Sequence, residues 1–182
     1  MRRDRRQAVF LAVPILMLFS VLPGRAQQAD GPPPPDPPPP CSRPEAGQFD
    51  FWVGDWDLEW GEGKTGTNSI HKVMGGCVIT EEFDGSPSSK LRGMSVSSYD
   101  PIKKKWKQTW VDNQGGYLDF VGEYRDGKMV LQRNATFEGK PILQRMVWYA
   151  ITENGLKWNW ERSRDGGKSW ETLWKIAYTR RK

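Results

Sequence analysis

Histidine and cysteine are scarce in this sequence: its 182 residues include one histidine, His71, and two cysteines, Cys41 and Cys77. Structural zinc sites are built from clusters of Cys and His, and a nucleophilic triad needs a base, so neither is predicted. The sequence also lacks the glycine motifs that bind nucleotide phosphates. We therefore expect no metal and no cofactor, and we assign no catalytic residue.

A strong excess of positive charge is also missing from most of the chain. The whole sequence has 27 Lys and Arg against 22 Asp and Glu, a net charge of +5. Five arginines and one aspartate place +4 of this in residues 1–26, which leaves +1 for the remainder. The longest basic run of that remainder, residues 103–107, is typical of a solvated turn and outer strand face. Since nucleic-acid-binding domains concentrate Lys and Arg on one surface, nucleic acid is not an expected partner.

Long hydrophobic runs are limited to one, residues 8–22. These 15 residues are too few for a membrane-spanning helix, which needs roughly 20. They follow an arginine-rich start and precede Gly24, Arg25 and Ala26, which is the three-part pattern of a cleaved signal peptide. We predict a signal peptide at residues 1–26 and a mature protein that is exported, periplasmic or secreted, without a membrane span.

Proline is concentrated in one segment, because nine of the 14 prolines lie in residues 27–46. Such a run favours extended polyproline II without internal hydrogen bonds. We interpret it as a disordered spacer. Recognition by a proline-binding groove is the alternative. The folded domain is predicted to cover residues 47–182.

That domain lacks any sustained helical period and instead shows short alternating runs between glycine-containing turns. Tight turns without crossover segments favour an all-β, up-and-down antiparallel β-barrel, with a two-sheet sandwich as the alternative. The predicted strands are 53–60, 66–73, 77–83, 91–99, 104–112, 117–124, 128–137, 141–151, 156–163 and 170–179.

The ten tryptophans of the chain recur on the strand faces that we predict to point inward. They would either fill the barrel or line a cavity for a small lipophilic or aromatic ligand. Polar residues on the same faces favour the cavity, with an anionic ligand group held by Arg133 or Arg162. The candidate ligand-binding residues are Trp60, Glu81, Trp106, Gln108, Trp110, Arg133, Gln144, Trp148, Trp158, Trp160 and Arg162.

The segment FDFWVGDWDL, with Gly54 and Trp56, resembles the Gly-x-Trp start of the calycins, which include lipocalins and fatty-acid-binding proteins. That resemblance implies that Trp56 closes the barrel base and that Arg180 or Arg181 packs across it. With GGCVITEEF, YDPIKKKWKQTWVDNQGG and ERSRDGGKSWETLWKIAY, residues 47–182 resemble an exported bacterial family of unknown function with a calycin-like barrel. The haem-binding calycins use a late histidine; His71 is early, so haem is not expected.

Residues 163–170 match the Asp-box pattern through Ser163, Asp165, Gly167 and Trp170. Their side chains are suited to bonding turn amides, so we interpret the motif as a scaffold between the last two strands. One copy does not make a propeller.

Cys41 and Cys77 would meet an oxidising compartment after export. A disulfide between them would tie the end of the spacer to the barrel. Cys77 also lies on an apolar strand face, where a buried thiol is the alternative, so the sequence leaves the pairing open.

Two other functions remain open beside the non-enzymatic binding barrel. A calycin-like enzyme would use Glu81 or Asp112 as an acid or base on a small or lipid-like substrate. A cell-envelope or glycan interaction module would need tryptophans that face outward. The sequence gives no indication of oligomeric state.

Overall fold

The computed structural model describes residues 38–39 and 41–182. The predicted signal peptide, residues 1–26, and the spacer residues 27–37 and 40 lie outside the described residues. The folded part contains ten antiparallel strands, which end within two residues of the predicted limits. They are β1 Gly54–Trp60, β2 Lys64–Val73, β3 Val78–Asp84, β4 Arg92–Asp100, β5 Lys105–Asp112, β6 Tyr117–Arg125, β7 Lys128–Phe137, β8 Lys140–Tyr149, β9 Gly155–Ser163 and β10 Glu171–Arg180.

The strands pair in chain order, and β1 closes the sheet by pairing with β10. The prediction of an up-and-down barrel is therefore confirmed, and the two-sheet sandwich is excluded. Closure leaves no strand without a neighbour on either side. Within the described residues, no helix is long and apolar enough to cross a membrane.

Two-residue turns explain why neighbouring strands follow each other so closely. Asp126 and Gly127 join β6 to β7, with φ angles of 52° and 75°. Glu138 and Gly139 join β7 to β8 with nearly the same values, 52° and 74°. Two successive residues with positive φ form the turn whose twist suits an antiparallel hairpin, and glycine adopts that conformation without strain.

The N-terminal segment closes one end of the barrel, which we call the closed end. Short 3₁₀ turns at Pro44–Gly47 and Asp50–Trp52 precede β1 and bring Phe49 and Trp52 into the barrel, where both are fully buried. The Phe49 ring stacks on Trp52 at 4.9 Å and meets Trp148 edge-on at 5.0 Å. These residues therefore form an apolar plug.

Residues 41–46, which belong to the predicted spacer, pack against the closed end of the barrel. Ala46 is buried at 7% exposure, and Cys41 is disulfide-bonded to Cys77, which lies between β2 and β3 at the closed end. The proline count indicated a spacer up to residue 46. The number of prolines does not predict the disulfide, which holds residues 41–46 near the plug.

The opposite end, which we call the open end, contains a local departure from regular pairing. β6 and β7 pair from Val121 with Gln132 to Arg125 with Lys128. Residues 117–120 of β6 and 133–137 of β7 lie outside that ladder. The two strands therefore separate towards the open end.

Candidate functional site

A cavity of about 220 Å³ occupies the barrel between the plug and the open end. Leu91 and Leu118 lie at the starts of β4 and β6, at the open end, whereas Glu81 and Tyr178 lie deeper. The wall is mostly aromatic: Phe83, Trp110, Phe120, Trp148, Trp158, Trp160, Trp174 and Tyr178. Four aliphatic side chains and one carboxyl group complete it: Leu91, Leu118, Met146, Ile176 and Glu81.

The aromatic rings of the wall hold one another in edge-to-face contacts. Trp158 and Trp174 lie 5.7 Å apart at 88°, and Phe120 meets Trp160 at 5.7 Å and 79°. Such contacts are more favourable than face-to-face stacking because the positive ring edge meets the negative ring face. They fix the shape of the wall and leave other ring surfaces towards the cavity.

Glu81 is the only charged residue in the cavity lining within the part of the chain that the structure describes. Its Oε1 accepts a 2.7 Å hydrogen bond from Nδ2 of Asn68, and its Oε2 accepts a 2.6 Å bond from Oγ of Ser95. Burial raises the pKa of the Glu81 carboxyl to about 7, although the bonds from Ser95 and Asn68 act in the opposite direction. The group therefore changes charge near neutral pH.

Tyr178 lies beside this carboxyl in the floor of the cavity. Its hydroxyl accepts a 3.2 Å hydrogen bond from Nδ2 of Asn68, so one amide group joins Glu81 to Tyr178. Burial first, and then the Glu81 charge, raise the pKa of the Tyr178 hydroxyl well above its ordinary value. Tyr178 therefore stays a neutral hydrogen-bonding group.

Two buried polar atoms near this floor have no hydrogen-bond partner among the described residues. They are Oδ1 of Asn68 and the indole nitrogen of Trp148. Trp148 lines the cavity, and Asn68 bonds to two lining residues. Unpaired buried groups are rare because they lose hydrogen bonds to water, so a water molecule or a polar ligand group at the floor would be stabilised by these two atoms.

Five of the residues predicted to bind a ligand line this cavity: Glu81, Trp110, Trp148, Trp158 and Trp160. Three others pack elsewhere in the interior. Trp60 supports the wall from outside it by meeting Trp174 edge-on at 5.5 Å. Trp106 packs against Phe49 of the plug at 5.3 Å, and the Gln108 amide donates to Oγ of Ser97 at 2.9 Å.

The two arginines predicted to hold an anion are absent from the cavity lining. Nη1 of Arg133 donates to Oε1 of Gln144 at 2.9 Å, where β6 and β7 separate. Nη2 of Arg162 donates to Glu171 at 2.8 Å, and its guanidinium lies 4.5 Å from the centre of the Phe137 ring. Arg133, Gln144 and Arg162 are therefore absent from the lining, although the Arg133 guanidinium lies 5.9 Å from the centre of the Phe120 ring. No basic side chain of the described residues lines the cavity.

Several site residues were not predicted, and those on β4 are the most informative. Ser95 and Ser97 point inward at 1% and 0% exposure, whereas Met94 and Val96 face solvent at 46% each. The inward serines form hydrogen bonds with Glu81 and Gln108. On β4 the polar side chains therefore face the interior and the apolar side chains face solvent, which is the reverse of the usual alternation. The alternation of Leu118 and Phe120 with Tyr117 and Asp119 was a usable signal for β6.

The residues predicted to be structural occupy the closed end and the last turn. The Arg180 guanidinium lies 4.2 Å from the centre of the Trp56 ring and donates to the carbonyl oxygen of Val53 at 2.8 Å. Gly54 has a φ of +131°, and a Cβ there would collide with Nη1 of Arg180. Trp56 is fully buried.

The Asp-box residues make the local bonds expected of a scaffold. Oγ of Ser163 accepts from the Gly167 amide at 2.8 Å, and Asp165 accepts from the Ser169 amide at 3.0 Å. Hydrogen bonds from Ser169, and then from Ser163, hold the pKa of Asp165 well below its usual range. The Trp170 indole donates to the Gly167 carbonyl at 3.1 Å. The motif lies beyond the lining of the cavity.

Comparison with known families identifies this barrel. A family model described as "Protein of unknown function (DUF1579)" matches residues 48–180. The chain belongs to this family. The matched range includes the plug residues Phe49 and Trp52 and all ten strands, whereas Cys41 lies before it. None of the curated proteins matches the chain.

Proposed function

We propose that this DUF1579 protein binds one small, largely apolar and aromatic molecule inside its barrel. The observation that carries the proposal is the cavity of about 220 Å³, whose lining has twelve apolar or aromatic residues and one carboxyl group. A cavity of about 150 Å³ is large enough for benzene. A ligand of matching shape would gain dispersion contacts with the rings of the wall.

The arrangement of tryptophans favours an internal ligand over an external glycan. All ten tryptophans are buried or half-buried. A platform for a sugar ring would need indoles that are exposed together on the outer surface, and the chain has none in the part that the structure describes. The interaction-module alternative therefore loses its main support.

The acid–base chemistry of the cavity favours binding over hydrolysis by paired carboxyl groups. Burial acts to raise the pKa of Asp112, but hydrogen bonds from Trp110, Gly116 and Gln114 outweigh it and lower that pKa. Asp112 is also absent from the cavity lining. Glu81 is thus a single carboxyl group among hydrophobic side chains, which fits a pocket with one placed polar group.

Filling the mouth of the cavity should weaken binding strongly. We expect Leu118→Trp to weaken binding of tert-butylbenzene at pH 5.5 by at least about tenfold, because the larger side chain takes the volume that the ligand needs. Isothermal titration calorimetry measures the effect. Val121→Trp is the matched control, since Val121 is on the same strand but 47% exposed. Equal binding by both variants and the wild type, or no binding by the wild type, would reject the proposal.

Export of the protein belongs to the same proposal, together with a relation to the calycins. The bond between Cys41 and Cys77 supports an oxidising compartment, and the stacking of Arg180 on Trp56 supports the calycin relation. We expect protein recovered from outside the cytoplasm to begin at Gln27 and to contain no free thiol. Intact mass spectrometry with and without reduction checks both points. Finding the protein only in the cytoplasmic fraction, with its N-terminus retained and two free thiols, would contradict export.

A further inference from the structure

We propose that the ligand is a cation: an organic ammonium ion with an apolar, aromatic body, whose charge lies against Glu81 and the surrounding rings. This inference rests on the proposed function, because it requires that the cavity hold a ligand at all. It names the chemical class of that ligand, and it follows from the charges and the rings of the cavity.

The charge balance of the cavity is the first argument. Glu81 is buried at 6% exposure, and its two hydrogen-bond donors, Asn68 and Ser95, are neutral. Among residues 38–39 and 41–182, no Lys, Arg or His lines the cavity. A buried carboxylate without a counter-charge is unfavourable, and a ligand that brings a positive charge would remove this penalty.

The aromatic wall is the second argument. Five tryptophans and Tyr178 line the cavity together with Glu81. The face of an aromatic ring carries partial negative charge and attracts a cation within about 6 Å, and tryptophan does so best. Among the described residues, the lining therefore combines one carboxyl group with aromatic rings whose faces attract a cation.

The same contacts disfavour an anionic ligand, the class suggested by the predicted roles of Arg133 and Arg162. Arg162 is paired with Glu171, and Arg133 is bonded to Gln144 outside the cavity wall. A carboxylate or phosphate in the cavity would instead face Glu81, a like charge, and the negative faces of the rings.

Binding of a cation should depend on pH through Glu81. The groups that face this carboxyl are Asn68 on β2, Ser95 on β4 and Tyr178 on β10, of which Tyr178 alone titrates, with a pKa raised beyond the range of interest. Because the pKa of Glu81 is about 7, affinity for a permanent cation should be constant above that pH and fall below it.

Two probes of the same shape test the inference: phenyltrimethylammonium and tert-butylbenzene, which differ by a charged nitrogen in place of a carbon. At pH 8.5 we expect calorimetry to show the cation binding wild-type protein at least about tenfold more tightly than the neutral probe. Glu81→Gln should reduce this preference strongly, as should pH 5.5, because only the aromatic rings then favour the cation. Glu82→Gln is the matched control, because Glu82 is the neighbouring residue on the outer face of β3.

The outcomes separate this inference from the proposed function. If the neutral probe binds as tightly as the cation at pH 8.5, or if Glu81→Gln keeps the preference, the inference is overturned while the binding function stands. If neither probe binds at either pH, both fall. Comparison of the two probes on wild-type protein decides the inference even if a variant does not fold.

Discussion

Replacement of Phe49 by alanine should destabilise the protein by about 4 kcal/mol, the range for a fully buried phenylalanine. Phe49 has no exposed surface and meets Trp52, Trp106 and Trp148 within 5.3 Å. Removal of the ring leaves a void between three indoles that are held by other contacts and have little freedom to collapse. Urea denaturation followed by tryptophan fluorescence measures the loss.

The neighbouring Phe51 provides the matched control for this prediction. It is half-buried and contacts Tyr124 at 6.1 Å, so Phe51→Ala should cost clearly less than Phe49→Ala. Equally small losses for both variants would mean that the plug contributes nothing beyond ordinary surface packing. In that case the segment before β1 would not be an integral part of the barrel.

The second large effect concerns the pH dependence of stability. Glu81→Gln should reduce the change in the free energy of unfolding between pH 4.5 and pH 8 by about 3 kcal/mol. Folding raises the pKa of Glu81 from 4.5 to about 7. Between these values the folded protein keeps a proton that the unfolded chain has lost, so stability falls as pH rises. The Glu81 contribution is complete below pH 4.5 and lost by about pH 7, and glutamine has no such titration.

Free energies of unfolding from urea denaturation at pH 4.5 and 8 measure this effect in wild type and variant. The comparison of two pH values removes any constant change that the substitution makes in the hydrogen bonds to Asn68 and Ser95. Glu82→Gln, on the outer face, should keep the wild-type pH dependence. An unchanged pH dependence in Glu81→Gln would show that the carboxyl is ionised in the folded state at acid pH.

The barrel and the inward tryptophans could be predicted from the sequence alone. Ten alternating runs separated by turns such as Asp126–Gly127 were sufficient for the barrel and its strand order, because period-two alternation and hairpin turns are local properties. The tryptophans of β5, β8 and β9 were placed inside correctly for the same reason: Trp110, Trp148, Trp158 and Trp160 line the cavity.

Contacts between strands that are distant in sequence were beyond such reasoning. Arg133 alternates in phase with Leu131, yet β6 and β7 separate beside it, and its side chain reaches Gln144. The inward serines of β4 make sense only once Ser95 is seen opposite Glu81. Register between strands therefore decided which polar residues belong to the site.

The disulfide and the plug show the same limit. Nothing local in the proline-rich segment indicates that Cys41 lies 5.1 Å from Cys77, measured between their Cα atoms. Likewise, Phe49 and Trp52 precede the first strand and showed no periodicity, but they close the barrel. Both features depend on where the chain returns in space.

The central claim, a small ligand held inside the barrel, is tested most directly by the indole N–H resonances of the tryptophans in ¹H–¹⁵N NMR spectra. On titration with tert-butylbenzene at pH 5.5, the account predicts shifts for the cavity residues Trp110, Trp148, Trp158, Trp160 and Trp174. The indole resonances of Trp106, which packs against Phe49 of the plug, and of Trp170, which lies in the Asp-box, should not shift. An unchanged spectrum, or shifts confined to Trp170, would contradict the account.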